Sequence, residues 1–151
     1  MIQAIKLIIK EGTTFDLYFY DGCVKRYDAL MLADKFSNLN QLRDRKLFEK
    51  GKLFGWSGVV WNDEIDIGAE TVYEEGTDVT SEYDDIELVT FGYSVKEARL
   101  KLFLTQEEAA AKIGIDQADL SKIETGKGNT TILTMKKIAD AFNLKLQIKF
   151  K

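Results

Sequence analysis

Residues 105–126, TQEEAAAKIGIDQADLSKIETG, constrain the fold more than any other stretch of this chain. Thr105 is a hydroxyl residue suited to cap a helix, and Glu108, three residues later, completes a capping box. Gly114 can end that helix in the left-handed conformation that most residues avoid. A second helix is expected directly afterwards, because Asp116 is a favourable N-cap residue. The stretch therefore predicts two short helices joined by a tight turn.

The second of these helices has two distinct faces. Leu120 and Ile123, three residues apart, are expected to face the core. The opposite face carries short or amide-bearing side chains and one cation: Gln117, Ala118, Ser121 and Lys122. Such a surface suits a helix that lies in the major groove of DNA. An ordinary helical hairpin is the plainer interpretation of the helical pattern taken alone.

The same stretch resembles the helix-turn-helix of the phage-repressor-like regulators, known as the Cro/C1 or XRE type. The resemblance runs from about residue 94 to 144, and it implies sequence-specific binding of double-stranded DNA by a bacterial transcriptional regulator. Two positions depart from the family pattern: Ala109 stands where leucine is usual, and Phe103 stands where glycine is frequent. The matching residues are Thr105, Gln106, Ala110, Gly114, Ile115, Gln117, Leu120, Ser121, Ile123, Glu124 and Gly126.

The resemblance implies a set of DNA contacts. Gln117 is the expected base reader, since a glutamine amide can bond two positions on adenine. Gln106 is expected to bond a phosphate, and the loop after the second helix is expected to hold the neighbouring backbone. The predicted DNA-binding residues are therefore Gln106, Gln117, Ala118, Ser121, Lys122, Lys127, Asn129 and Thr130.

Two further expectations concern the first helix of this region. Ser94 is expected to cap it, with Glu97 in the capping-box position. Arg99 and Glu124 match family positions that form an ion pair, and we expect that pair to be largely buried. Arg99 in contact with a DNA phosphate is the rival assignment.

Two carboxylates on the second helix keep a different function open. Asp116 and Asp119 would oppose DNA phosphates, although Asp119 could also accept a bond from cytosine or benefit from the positive helix start. The alternative is a protein-interaction module whose helix-turn-helix no longer reads DNA.

Charge is distributed unevenly along the chain, although the net charge is only −4. Residues 1–92 contain 10 basic and 18 acidic side chains, whereas residues 93–151 contain 11 and 7. A basic C-terminal part suits contact with phosphate. The acidic N-terminal part is expected to face away from DNA.

The N-terminal part predicts strands and turns. Ile2–Lys10 is rich in β-branched residues, and Thr14–Tyr20 alternates apolar with polar side chains. Asp21-Gly22 is a strong hairpin-turn signal. Asp28–Phe36 is expected to be helical, a strand is expected over Leu53–Trp61, and a short helix is expected over Ala69–Glu74.

Residues 1–75 also resemble a small bacterial domain family of unknown function, numbered 2442. This resemblance implies no activity, and it suggests only a possible toxin-like protein partner. Its matching residues are Asp21, Gly22, Asp28, Trp61, Asp63, Asp66, Ile67 and Tyr73. Asp28, Asp63 and Asp66 could form a carboxylate site, but turn and cap chemistry explains them more simply.

Composition argues against several other classes of protein. The sequence has no histidine, so the commonest general base and the commonest metal ligand are both missing. We therefore expect no enzyme activity, no cofactor and no metal. With Cys23 as the one cysteine an internal disulfide is impossible, which favours a reducing cytoplasm. No apolar run approaches the length of a membrane span.

These observations predict an α+β N-terminal domain (residues 1–75), a linker (76–92) and an all-helical helix-turn-helix domain with a C-terminal β-strand (93–151). The expected strand, 144–150, alternates strictly between apolar and polar residues and has no local partner. It therefore predicts edge pairing with a second copy, which would make a homodimer, or with the N-terminal sheet. The predicted function is sequence-specific transcriptional regulation, in its finer form as an antitoxin-type autorepressor.

Overall fold

The computed structural model describes residues 1–150, and the chain divides into two units, Met1–Ile86 and Glu87–Lys151. An antiparallel sheet with strand order β1-β2-β3-β7 dominates the first unit. Phe15, Leu17 and Phe19 point from β2 into the core, as their alternation predicts, but Asp16 and Tyr18 on the other face are buried as well, so the expectation of one buried face is wrong. The strands are β1 (Ala4–Ile9), β2 (Thr14–Phe19), β3 (Val24–Asp28) and β7 (Thr77–Asp78).

A smaller antiparallel sheet completes the first unit, with strand order β4-β5-β6. One strand was expected over Leu53–Trp61, but a turn that contains Gly55 at φ 57° separates β4 from β5. Trp61 is buried and donates its indole N–H to the Phe48 carbonyl at 2.9 Å, whereas Trp56 is exposed. The remaining elements are β4 (Lys52–Leu53), β5 (Gly58–Asn62), β6 (Ile65–Gly68), α1 (Arg45–Phe48) and α2 (Ala69–Glu75).

The helix expected over Asp28–Phe36 does not form. The chain instead makes successive turns and then a 3-10 helix at Ser37–Arg43. Asp28 explains the start of this difference, because its carboxylate accepts the Leu30 N–H at 3.0 Å. A side chain that bonds the backbone two residues ahead favours a turn over a helix.

The segment expected as a linker, residues 76–92, is regular structure for most of its length. Its start forms β7, which pairs with β3, and a 3-10 helix follows at Thr80–Glu82. Its last residues belong to α3, which begins at Ile86. The polar composition of this segment indicated a linker, but its polar side chains have partners on the sheet.

A buried carboxylate holds part of this segment. Asp16 is fully buried on β2, and Arg26 grips both of its oxygens at 2.9 and 2.8 Å. The same guanidinium bonds Glu82 at 2.7 Å, and the Tyr83 hydroxyl donates to Asp16. These bonds join the segment to strands β2 and β3.

A second anchor lies immediately before α3. Asp85 accepts hydrogen bonds from Lys6 and from the Tyr18 hydroxyl, each at 2.7 Å. Burial opposes ionisation of Asp85, but these two donors outweigh it and lower the pKa of the carboxyl. Residues 77–85 are therefore held by charged and phenolic side chains of the first unit.

The second unit is helical, and its first helix starts earlier than expected. Ser94 does not cap this helix but lies within it, where its hydroxyl donates to the Thr90 carbonyl at 2.9 Å. The expected cap at Ser94 is therefore wrong. The helices are α3 (Ile86–Lys101), α4 (Gln106–Ile113), α5 (Gln117–Glu124) and α6 (Ile132–Ala141). None of the helices among residues 1–150 is both long and apolar enough to cross a membrane.

The expected C-terminal strand is absent from the single chain. Asn143 ends α6 in the left-handed conformation, as expected, but residues 144–150 pair with no described strand. Leu144, Ile148 and Phe150 are 52%, 50% and 100% exposed. An alternating segment forms a stable strand only beside a partner, so a single chain leaves it irregular.

The Asp16 anchor predicts the effect of removing its cation. Arg26→Met should lower the free energy of unfolding by roughly 3–5 kcal/mol, because it leaves a buried carboxylate without its counter-charge. Arg43→Met is the matched control: Arg43 is exposed and its side chain bonds Asn40, an exposed neutral side chain, so its loss should stay below about 1 kcal/mol. Urea unfolding measures both, and equal losses would contradict the anchoring role.

Candidate DNA-binding interface

The first helix of the predicted pair is capped as the sequence indicates. The Glu108 N–H donates to Thr105 Oγ1 at 3.2 Å, and the Thr105 N–H donates to the Glu108 carboxylate at 2.8 Å. That backbone bond lowers the pKa of Glu108, so the cap is stabilising at neutral pH and is lost as the pH falls through the lowered pKa. Gly114 ends the helix at φ 84°.

The second helix, α5, has the predicted inward face. Leu120 and Ile123 are buried together with residues of α4 and α6. Asp116 occupies the N-cap position, but its side chain accepts no capping bond. The helix therefore begins where expected, although the interaction expected to begin it is missing.

A charged pair lies buried beneath α5. Arg99 donates to the Glu124 carboxylate through Nε at 2.6 Å and Nη2 at 3.0 Å, and the two side chains are 9% and 2% exposed. A third bond runs from Arg99 to the Leu104 carbonyl at 2.8 Å. The bonds to Glu124 raise the pKa of Arg99 above its ordinary value. The expected buried ion pair is confirmed, and it joins α3 to the end of α5.

Two glutamines extend this pair to the surface. Gln106 donates its amide to Glu124 at 2.9 Å, and Gln117 donates to the Gln106 amide oxygen at 3.3 Å. A chain of bonds therefore runs from the buried guanidinium of Arg99 to the exposed start of α5. The sequence did not indicate it, because Gln106 was assigned to a phosphate alone. One N–H of Gln106 remains available for that contact.

The predicted reading face is open to solvent. Gln117, Ala118 and Lys122 are exposed, and Ser121 is partly buried beside them. Lys122 approaches Asp119 at 3.9 Å, so this cation partly offsets the carboxylate that opposed DNA binding. In the loop after α5, Lys127 and Asn129 are exposed and Thr130 is partly buried.

Two glycines bring the backbones of α3 and α5 into contact. A Cβ atom on Gly92 would lie 2.1 Å from the Ile123 carbonyl oxygen. At Gly126, which has φ 71°, an added Cβ would lie 2.9 Å from the Val89 Cα atom. Sequence reasoning missed Gly92, because helix α3 was expected to begin after it. Small residues at this crossing are what allow Arg99 to reach Glu124.

The turn between α3 and α4 contains a strained residue. Phe103 has φ 56° and is 94% exposed. The departure noted in the sequence therefore lies at a backbone position that favours glycine. The turn keeps its left-handed geometry even though a bulky residue occupies it.

The helix-turn-helix family model (HTH_3) matches residues 95–149. Two uncharacterized HTH-type transcriptional regulators of Archaeoglobus fulgidus are 38% identical over 53 residues and 36% identical over 56 residues. These matches cover 35% and 37% of this chain, and 75% and 80% of the two relatives. The chain belongs to the helix-turn-helix family. In this helix-turn-helix protein the matched region lies within the second unit.

Solved structures offer further similarities. The restriction-modification controller protein C.AhdI from Aeromonas hydrophila is 30% identical, with a TM-score of 0.38, over 39% of this chain and 89% of that chain. A chain of a HipA-HipB-O2-O3 complex is 32% identical, with a TM-score of 0.37, over 45% of this chain and 92% of that chain. The putative DNA binding protein NE0471 from Nitrosomonas europaea is 15% identical, with a TM-score of 0.42, over 91% of this chain and 84% of that chain.

Breaking the buried pair of Arg99 and Glu124 should cost much stability, and removing one partner should cost more than half of what removing both does. Arg99→Met or Glu124→Met alone should cost roughly 3–5 kcal/mol, because each strands the opposite charge, and the double variant should cost less than the sum. Lys136→Met is the control, since its bond to Asp140 at 2.8 Å is exposed and should contribute less than about 1 kcal/mol. Additive losses in chemical denaturation would argue against the buried pair.

Proposed function

We propose that the chain is a sequence-specific DNA-binding transcriptional regulator that places α5 in the major groove. The observation that carries this proposal is the exposed face of α5 together with the buried Arg99–Glu124 pair beneath it, which Gln106 also bonds. Gln117 begins that face and is oriented by Gln106. A rigid support beneath an exposed polar helix start suits the recognition of bases in the major groove, because recognition requires side chains in fixed positions.

The bonding of Gln117 matches one particular base. Its amide has two N–H donors and one acceptor oxygen, and the bond to Gln106 uses one donor. The remaining donor and the oxygen are the two groups that a bidentate contact with adenine requires. Ala118 would supply a methyl contact for thymine, while Ser121 and Lys122 would reach bases or phosphates farther along the helix.

The distribution of charge along the chain also supports DNA contact through the helix-turn-helix. Residues 93–151 carry four more basic than acidic side chains, and residues 1–92 carry eight more acidic than basic ones. Lys127, Asn129 and Thr130 would hold the phosphate backbone beside α5. Lysine contacts with phosphate release counterions, so binding should weaken steeply as salt rises.

The alternative is a protein-interaction module that has kept the fold and lost DNA reading. The observation in its favour is Asp119, which is exposed on the reading helix. Asp119 lies in the first turn of α5, where the helix start stabilises negative charge, and Lys122 lies beside it. For these reasons we favour the DNA reader over the interaction module.

Two variants separate base reading from backbone contact. After a binding-site selection, Gln117→Ala should relax the preference at one position and cost roughly 1–3 kcal/mol there. Lys127→Ala should weaken all sequences alike and reduce the salt slope by about one unit. Lys50→Ala, an exposed lysine of the first unit, is the control for the general loss of a positive charge.

If selection enriches no sequence and neither variant changes DNA affinity, the interaction module is the correct function. If both variants weaken all sequences alike, Gln117 contacts the backbone and reads no base.

The finer proposal is an antitoxin-type autorepressor that acts as a homodimer in the cytoplasm and binds a toxin-like protein through its first unit. The dimer is supported by the exposed alternating segment 144–150. A two-fold dimer would present two α5 helices to half-sites about one DNA turn apart. Repression of a reporter that carries the chain's own promoter, with and without the neighbouring gene, tests the regulatory role.

Truncation tests the dimer directly. A chain that ends after Asn143 should sediment as a monomer, whereas the full chain should sediment as a dimer at micromolar concentration. The reason is that the removed segment has unmade backbone bonds and exposed apolar side chains. If the full chain and the truncated chain are both monomers, or both dimers, residues 144–150 are not the dimer contact.

A further inference from the structure

We propose that residues 144–150 of one copy add a strand to the open edge of β6 in the first unit of a second copy. This inference rests on the proposed function only for the dimer, and it identifies the surface that receives the C-terminal segment. The receiving surface consists of an unpaired strand edge and a groove beside that edge, which has an apolar wall and exposed carboxylates.

The edge of β6 has backbone groups that point away from its sheet. Ile67 lies opposite Val59, and the Ala69 N–H donates to the Ser57 carbonyl at 2.7 Å. In an antiparallel pair the inward and outward backbone groups alternate, so both backbone groups of Asp66 and the N–H of Gly68 are open to a partner, whereas the Gly68 carbonyl begins helix α2. No other described strand pairs with this edge.

A groove of about 370 Å³ runs beside the edge. Its apolar wall contains Leu32, Phe36 and Leu39, and Phe36 is 57% exposed. One end is closed where Asn38 donates its amide to the Glu64 carbonyl at 2.6 Å. An added strand would therefore place alternate side chains against an apolar surface.

The lining of the same groove also includes the negatively charged Glu64 and Asp66, and Asp66 lies on the face of β6 opposite to the buried Ile65 and Ile67. Glu64 and Asp66 are exposed on the β6 hairpin, and neither carboxylate has an ion-pair partner among residues 1–150. The surrounding residues 1–92 have a net excess of eight acidic side chains. A basic partner strand is therefore favoured over a neutral or acidic one.

The C-terminal segment matches both sides of this surface. Its sequence LKLQIKF places Leu146 and Ile148 on one side of a strand, and Lys145 and Lys149 on the other. Paired with β6, the apolar side would extend the face of Ile65 and Ile67, while the lysines would lie on the face of Asp66. In the single chain this segment pairs with no strand, so the occupant comes from a second copy.

Strand β1 also lies at the edge of its sheet, but it suits this segment less well than β6. Lys6 and Lys10 are basic, like the segment itself, and like charges on neighbouring strands are destabilising. Both ends of β1 are also engaged: the Ala4 N–H donates to the Trp56 carbonyl, and Arg45 donates to the Lys10 carbonyl. Of the two edges, charge selects β6.

Charge reversal tests the proposal through the sedimentation of full-length chains without DNA. The double variant Glu64→Lys/Asp66→Lys should weaken dimerisation by roughly tenfold or more, and Lys145→Glu/Lys149→Glu should do the same. The chain that carries all four changes should recover most of the dimer. Glu11→Lys/Glu74→Lys is the matched control, because it makes the same charge change at exposed positions of the same unit.

Recovery in the fourfold variant also answers the objection that a single pair of changes merely unfolds the chain. The proposal is wrong if Glu64→Lys/Asp66→Lys stays as dimeric as the unchanged protein while truncation after Asn143 gives monomers. In that case residues 144–150 pair with the same residues of the second copy. The proposal also fails if the unchanged protein is monomeric, or if the control weakens the dimer equally.

DNA affinity is measured separately on the same proteins, so the two proposals can fail independently. The expected charge pattern without any DNA binding would overturn the proposed function and leave the strand exchange. Sequence-specific DNA binding by a dimer that ignores Glu64 and Asp66 would overturn the strand exchange and leave the function.

Discussion

The buried ion pair of Arg99 and Glu124 is the interaction on which the helix-turn-helix depends. It lies where three elements meet: Arg99 comes from α3, Glu124 ends α5, and Gln106 from the start of α4 bonds the same carboxylate. A buried charge is costly unless its partners are complete, and here they are. The backbone contact at Gly92 keeps α3 close enough for the pair to form.

The first unit uses the same physics at a different place. Asp16 is buried as completely as Glu124, and Arg26 grips it through two nitrogens. In the second unit the buried carboxylate orients a predicted reading side chain, whereas in the first it fixes a segment that resembles a linker. A buried carboxylate with a forked arginine partner is therefore a positioning device in both units, although what it positions differs.

Local rules explain which features the sequence could predict. The Thr105 capping box, the left-handed Gly114 and the inward Leu120 follow from residues within one or two turns of each other, and the structure has all three. Some misses were also local, such as the turn that Asp28 makes in place of a helix, but the order of the expected linker depends on distant partners. Segment 77–85 is ordered by side chains about 55 to 80 positions away, such as Arg26 and Lys6. The predicted strand 144–150 is the reverse case, because no strand of the single chain lies beside it to pair with it.

The bond between the two glutamines has a consequence for recognition. Gln106 contributes to the buried network and also orients Gln117, so stability and base reading share one side chain. Holding Gln117 in one orientation before DNA arrives removes part of the entropy cost of ordering it on binding. It also leaves one donor and one acceptor free, and that combination is complementary to adenine and not to guanine. The selectivity proposed for α5 therefore originates in the carboxylate beneath it as much as in the exposed amide.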